Sequence, residues 1–180
     1  EQIGFLEAAG EADRYVFGFE ESYGYLSGSH VRDKDGVNGS LLICEMFAHY
    51  KAKGLSLVEV LNALYEKYGY FKEALQSITF EGASGAKKMT ELMDSLRKNP
   101  PSEIAGFKVE DVKDYGAGVG DLPRSNVLEF NMENDVNVLV RPSGTEPKIK
   151  MYYLVKGDSE GEGDRITASL EAYFTEVCKG

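Results

Sequence analysis

Cysteine is scarce. Two occur in 180 residues, Cys44 inside an apolar helical run and Cys178 near the end. Neither has metal-ligand spacing, so a disulfide framework and a cysteine-based zinc site are excluded, and a reduced, cytoplasmic setting is expected. The sequon Asn38-Gly39-Ser40 is then idle. Long apolar runs are also lacking. None approaches the ~20 residues that span a bilayer, so no membrane span is expected. The opening EQIGFLEAAGEADRY carries acids and no basic region before an apolar stretch, so it does not read as a signal peptide. It also begins without Met, which suggests a piece of something longer. Positive charge is outnumbered, with 20 Lys and Arg against 30 Asp and Glu, for a net charge of −10. Nucleic acid and anionic membranes need a basic footprint, and neither is expected as a partner. A small phosphate stays within reach, because local donors outweigh distant charges when salt screens at ~8–10 Å.

What is present divides into two patterns. Residues 3–9 read as the close of a helix. Arg14 to Phe19 reads as a short buried strand, since aromatic and β-branched residues dominate it. It runs into EESYGYLSGSHVRDKDGVNGS, a long polar connection of the kind that is usually functional when strong elements flank it. Ser40 to Lys53 is apolar on most sides and predicts a well-buried helix, with His49 packed inside it. Ser56-Leu57-Val58-Glu59 is a capping box that opens a second helix, ended by Gly69. A strand is expected over Phe71 to Phe80, then a third helical stripe on Met89, Leu92, Met93 and Leu96.

Asn99-Pro100-Pro101 stops that helix and marks the expected domain boundary. After it the pattern alternates. Phe107 to Tyr115, Val127 to Met132, Val136 to Arg141 and Ile149 to Val155 are candidate strands, and Arg165 to Lys179 a closing helix. The fold class expected is α/β followed by α+β: a partial α/β domain over residues 1–98, then a small antiparallel-sheet domain with flanking helices over 99–180. Gly116-Ala117-Gly118-Val119-Gly120 is not G-x-G-x-x-G and reads as a flexible connection.

Two stretches carry candidate chemistry. In RPSGTEPK the turn between two strands gathers Arg141, Ser143, Gly144, Thr145 and Lys148, with Lys150 two residues on along the return strand. Glycine lets a backbone curl so that N–H groups converge on an anion, while hydroxyls and a guanidinium complete its hydrogen bonds. A polar hairpin tip with surface bases remains the competing reading. In the first half, Glu20-Glu21-Ser22 leaves a strand directly. A rigidly held carboxylate such as Glu20 can accept from a pair of sugar hydroxyls. His30-Val31-Arg32-Asp33-Lys34-Asp35-Gly36 then sets two cations beside a titratable histidine, so that Lys34 or His30 could move a proton or neutralise a phosphate. The competing reading is a solvated loop of weak internal ion pairs. The spacing of these acids matches no Ca²⁺ loop.

FGFEESYGYL, then VRDKDG, then RPSGTEPKIKMYY more than a hundred residues later, resembles the α-D-phosphohexomutase superfamily, with its nearest likeness to bacterial phosphoglucomutases. The likeness covers essentially the whole chain, as the end of the family's third domain and its fourth, TATA-binding-protein-like domain. It implies a phosphoserine that passes its phosphoryl group to a sugar monophosphate, through glucose 1,6-bisphosphate, with Mg²⁺ as cofactor. Glu20 and Ser22 match the family's sugar-reading positions. Lys34 matches a base near the reacting centre, with His30 as a candidate general acid or base. Arg141, Ser143, Gly144, Thr145 and Lys150 match the loop that holds the phosphate not reacting.

The family's S-H-N-like serine loop and D-G-D-x-D-like metal loop do not occur in these residues. The resemblance therefore implies that no metal ligand lies here, that the chain is inactive alone, and that its partners are a phosphosugar and the N-terminal domains of the same protein. It also implies that the third domain's opening strands are absent, leaving a sheet edge to be covered. Phosphomannomutase, phosphopentomutase and phosphoglucosamine mutase relatives stay open, as does a non-catalytic phosphosugar-binding module.

Overall fold

The computed structural model describes residues 2–20, 24–82 and 84–179. The chain divides into two compact units, Glu1–Ala63 and Leu64–Gly180.

The first unit opens with helix α1 (Gln2–Ala8) and a hairpin of β1 (Phe17–Glu20) and β2 (Gly24–Ser27). Helix α2 (Gly36–Ala52) comes next, then α3 (Leu57–Tyr68), which runs across the division between the units. The strands pair from Phe17↔Ser27 to Glu20↔Gly24. Helix α2 starts where Asp35 accepts from the Asn38 amide at 2.9 Å, an N-cap that satisfies one of the orphan donors of the first turn. It meets β2 through Gly39, where an added Cβ would come within 3.1 Å of the Tyr25 Cβ. The Ser56–Glu59 capping box forms in both directions, with Ser56 N–H donating to Glu59 at 2.7 Å and Glu59 N–H to Ser56 Oγ at 3.2 Å.

Three expectations for this unit need correction. The long connection contains a strand, β2. Strand β1 is not buried: Phe17 is 42% and Phe19 76% exposed, because helix α2 meets the hairpin at β2. Helix α2 is not buried either. Leu41, Ile43 and Phe47 are each about half exposed, and His49 is exposed, edge-on to Tyr50. An apolar surface shows only that a helix can be covered, not that its partner is present.

The second unit is a six-stranded antiparallel sheet in the order β3-β8-β7-β6-β5-β4, with two helices. Strand β3 is Tyr70–Thr79, and helix α4 is Gly85–Lys98. Beyond them lie strands β4 (Glu103–Ile104), β5 (Phe107–Asp114), β6 (Leu128–Met132), β7 (Val136–Pro142) and β8 (Lys148–Gly157), and helix α5 (Glu160–Val177) closes the unit. Strand alternation puts Leu128, Phe130, Val138, Val140, Met151 and Tyr153 on one face, all fully buried. They share a core with Met93 and Leu96 of α4 and Leu170 and Phe174 of α5. Inside it Tyr153 donates to Gln76 Oε1 at 2.5 Å, and Gln76 donates to Thr175 Oγ1 at 2.9 Å, so the buried polar groups are satisfied. The opposite sheet face carries Leu75, Ser77, Arg141, Lys150 and Tyr152.

The compact units do not separate at Asn99–Pro101. The prolines stop α4, but β3 pairs along the whole of β8, from Tyr70↔Gly157 to Thr79↔Lys148, so residues 64–98 fold together with residues 99–180. No helix among the described residues is long and apolar enough to cross a membrane.

Candidate functional site

In the first unit the β1–β2 hairpin holds Glu20 at its end, and the 28–35 loop folds back beside it. Lys34 Nζ lies 3.4 Å from Glu20 Oε1 and 3.6 Å from Asp33 Oδ1. Gly24 makes room for this: a Cβ there would come within 2.7 Å of both the Glu20 and Lys34 side chains. A hollow beside the hairpin is lined by Tyr15, Phe19, Glu20, Tyr25, Arg32 and Lys34, among others. Asp33, and then Glu20, raise the Lys34 pKa above its ordinary value, so the ammonium stays charged near neutral pH. His30 Nε2 lies 3.1 Å from Asp35 Oδ2. The Asn38 amide, and then His30, hold the Asp35 carboxyl below its usual range. Arg32 ties the loop to α1 through Glu7 at 2.5 Å. Ser22, the second sugar-reading candidate, lies outside the described residues, as does Glu21.

In the second unit the 143–147 turn joins β7 to β8. Ser143 N–H donates to the Lys148 carbonyl at 2.8 Å, closing the base of the turn. The amides of Thr145 and Glu146 both point at Ser143 Oγ, at 3.4 and 3.3 Å. Two backbone donors thus converge on one oxygen, with long bonds that a better acceptor can take over. Gly144 works differently from the expectation. Its φ is not positive, and a Cβ there would meet nothing within 4 Å, so its contribution is an uncovered loop rather than a left-handed curl. Thr145 is exposed, and its hydroxyl is free to turn.

Arg141 and Lys150 are direct cross-strand partners on the open sheet face, and neither makes a salt bridge among the described residues. Ser77 of β3 is the next residue in the same row, opposite Lys150. Lys148 instead pairs with Glu146 inside the turn. Behind the turn, Arg97 of α4 donates to Asp114 at 2.9 Å and Asn126 at 2.8 Å. Arg97 and Asn126 line a small hollow with Met93, Pro142, Ser143 and Gly144, among others.

Sequence reasoning missed Ser77, Arg97 and Asn126. The pairing of β3 with β8 and the packing of α4 bring them there, and no local motif announces either. The alternation of Lys148 and Lys150 was the one legible signal that a return strand would present bases.

Two family models match the chain: "Phosphoglucomutase/phosphomannomutase, alpha/beta/alpha domain III" over residues 4–68 and "Phosphoglucomutase/phosphomannomutase, C-terminal domain" over residues 89–172. The chain belongs to the phosphoglucomutase/phosphomannomutase family, in the part that carries these two domains. The phosphoglucomutase of Staphylococcus aureus strain MRSA252 is 40% identical over 167 residues, covering 86% of this chain and 30% of that protein. The probable phosphomannomutase of Haemophilus influenzae is 35% identical over 163 residues, covering 90% of this chain and 32% of that protein. The chain therefore spans about a third of the length of these relatives. Among solved structures, the open form of the Paramecium exocytosis-sensitive phosphoprotein pp63/parafusin, a phosphoglucomutase, superposes with a TM-score of 0.67. It shares 21% identity, covers 98% of this chain and 32% of its own, and supports the fold.

Proposed function

We infer that this chain is the substrate-binding C-terminal part of a phosphoglucomutase-like isomerase, an intramolecular phosphotransferase. The complete enzyme interconverts glucose 1-phosphate and glucose 6-phosphate through a phosphoserine and glucose 1,6-bisphosphate. In this reading Glu20 and Ser22 read the sugar hydroxyls. Arg141, Ser143, Gly144, Thr145 and Lys150 hold the phosphate that is not reacting. The missing N-terminal domains supply the serine.

One observation carries the reading: the Arg141–Lys150 pair. Like charges directly opposite on antiparallel strands destabilise a sheet. A phosphate dianion supplies the missing negative charge and accepts charge-assisted hydrogen bonds from both. Holding the far phosphate lets binding energy position the near end for transfer.

Lys34 serves as a fixed positive charge rather than a base, because its carboxylate neighbours keep it protonated. His30, with Asp35 against one ring nitrogen, is the candidate proton carrier. Mg²⁺ belongs to this reading through the family, but the carboxylates here do not fit it. Glu20 and Asp33 are engaged by Lys34, and Asp35 by a helix cap and His30. Among the described residues no group of three or more His, Cys, Asp or Glu could hold a metal. No step assigned to this chain runs through the ion. A phosphomannomutase is the second reading, favoured by the Haemophilus relative. One epimeric hydroxyl separates the two sugars, worth about 1 kcal/mol per hydrogen bond.

The test is calorimetric titration of the chain with glucose 1,6-bisphosphate, beside Arg141→Ala, with a melting curve on each sample. Binding by the wild type that Arg141→Ala loses while still folded supports the reading. Equal affinity in both, or no binding by a folded wild type, overturns it. Mannose 1,6-bisphosphate in the same cell ranks the two sugars.

A further inference from the structure

The 141–150 hairpin carries three cations, Arg141, Lys148 and Lys150, and one acid, Glu146. That acid sits inside the turn. Its amide is one of the two donors that converge on Ser143 Oγ, and its carboxylate holds the Lys148 ammonium. We propose that Glu146 is a tethered counter-anion, which an incoming phosphate displaces from Lys148 and which returns to Lys148 when the phosphate leaves. This rests on the phosphate-loop reading above and adds the competitor that makes the clamp reversible.

The geometry supports the exchange. Lys148 and Lys150 are two apart on β8, and both face the side that Arg141 occupies. Glu146 is exposed and lies in the turn between β7 and β8, free to swing away without disturbing a core contact. Lys148, and after it Lys150, hold the Glu146 carboxyl below its usual range, so it is an anion at neutral pH. A bisphosphate intermediate must release one phosphate from the loop before the other enters. A site of three bare cations would resist that release, whereas a local carboxylate restores their balance as the phosphate departs. The exchange is cheap, because an exposed lysine–carboxylate pair gains little over its solvated parts.

The experiment is an NMR titration of the 180-residue chain with inorganic phosphate, following the amides of Gly144, Thr145 and Glu146 (Gln in the variant). Glu146→Gln, which removes the charge and keeps the shape, should bind phosphate roughly two- to fivefold more tightly, the range that an exposed ion pair supplies. In a Lys148→Ala background the same substitution should change affinity by less than roughly 1.5-fold, as expected when the effect acts through that lysine. A merely structural Glu146 would give weaker binding in Glu146→Gln, or the same change with and without Lys148, and either result overturns the proposal. Arg141→Ala separates this failure from that of the broader reading. If the wild type binds and Arg141→Ala does not, the phosphate loop stands even if Glu146 is no competitor. Absence of loop shifts in both wild type and Glu146→Gln sinks both.

Discussion

At the scale of single residues, the environment decides which groups react. Burial pushes the Cys178 thiol up to about 11, so almost none of it is thiolate at neutral pH, whereas Cys44 is exposed on α2. At pH 7.5 a disulfide reagent should therefore titrate one thiol quickly, and peptide mapping should place it at Cys44. Rapid modification of Cys178 would show that α5 does not pack as described. Asp35 gives a pH prediction with a definite sign. Its folded pKa is depressed by the Asn38 amide and then His30, so its contribution is present above the unfolded value of about 3.9 and is lost as pH falls through the folded one. The Asn38 amide shift should show an acid step below about pH 4, and Asp35→Asn should abolish that step. Persistence of the step in Asp35→Asn would contradict the cap. The sequence already displayed Lys34 and His30 as one charged patch. It did not show that Lys34 pairs with Glu20 as well as Asp33, because that needs the loop to fold back on the hairpin.

Among elements, boundaries tracked local signals closely. The capping box at Ser56, the strands of the 107–155 meander and the Met93–Leu96 stripe all lie where propensity and periodicity put them. Expectations failed where partners decide. Helix α2 and strand β1 carry apolar side chains that remain exposed, and β2 was hidden in a polar run. The start of α4 offers a sharp test of packing. A Cβ on Gly85 would sit 2.1 Å from the Phe80 carbonyl oxygen, closer than any real contact. Gly85→Ala must push the helix off the end of β3 and should cost roughly 1–3 kcal/mol in denaturant unfolding. Gly144→Ala, which meets open space, should leave stability within about 0.5 kcal/mol and so serves as the control. Equal effects would mean that α4 does not start against Phe80.

The whole molecule is uneven in stability. Of the buried hydrophobic side chains among the described residues, only Ile3 lies in the first unit, and the rest form the core of the second. The first unit instead exposes apolar surface along α2 and β1. Hydrogen exchange should show slow amides in β6, β7 and β8 and near-free exchange in β1 and β2. Calorimetry should show one cooperative transition from residues 64–180. Equal protection in both units would mean that the 180-residue chain buries the α2 face by itself.

The sequence by itself determined most elements. Period-2 and period-3.6 patterns place strands and helices, because these signals are local in the chain, while RPSGTEPK, FEES and RDKDG mark candidate residues by type alone. Only the tertiary structure decided the rest. It paired β3 with β8, about eighty residues ahead, so that the second compact unit begins at Leu64. It set Arg141 opposite Lys150 and gave Lys148 to Glu146, because register depends on which strands pair. It also left α2 bare, because a side chain's hydrophobicity states what it would gain from burial, and only the fold supplies the surface that buries it.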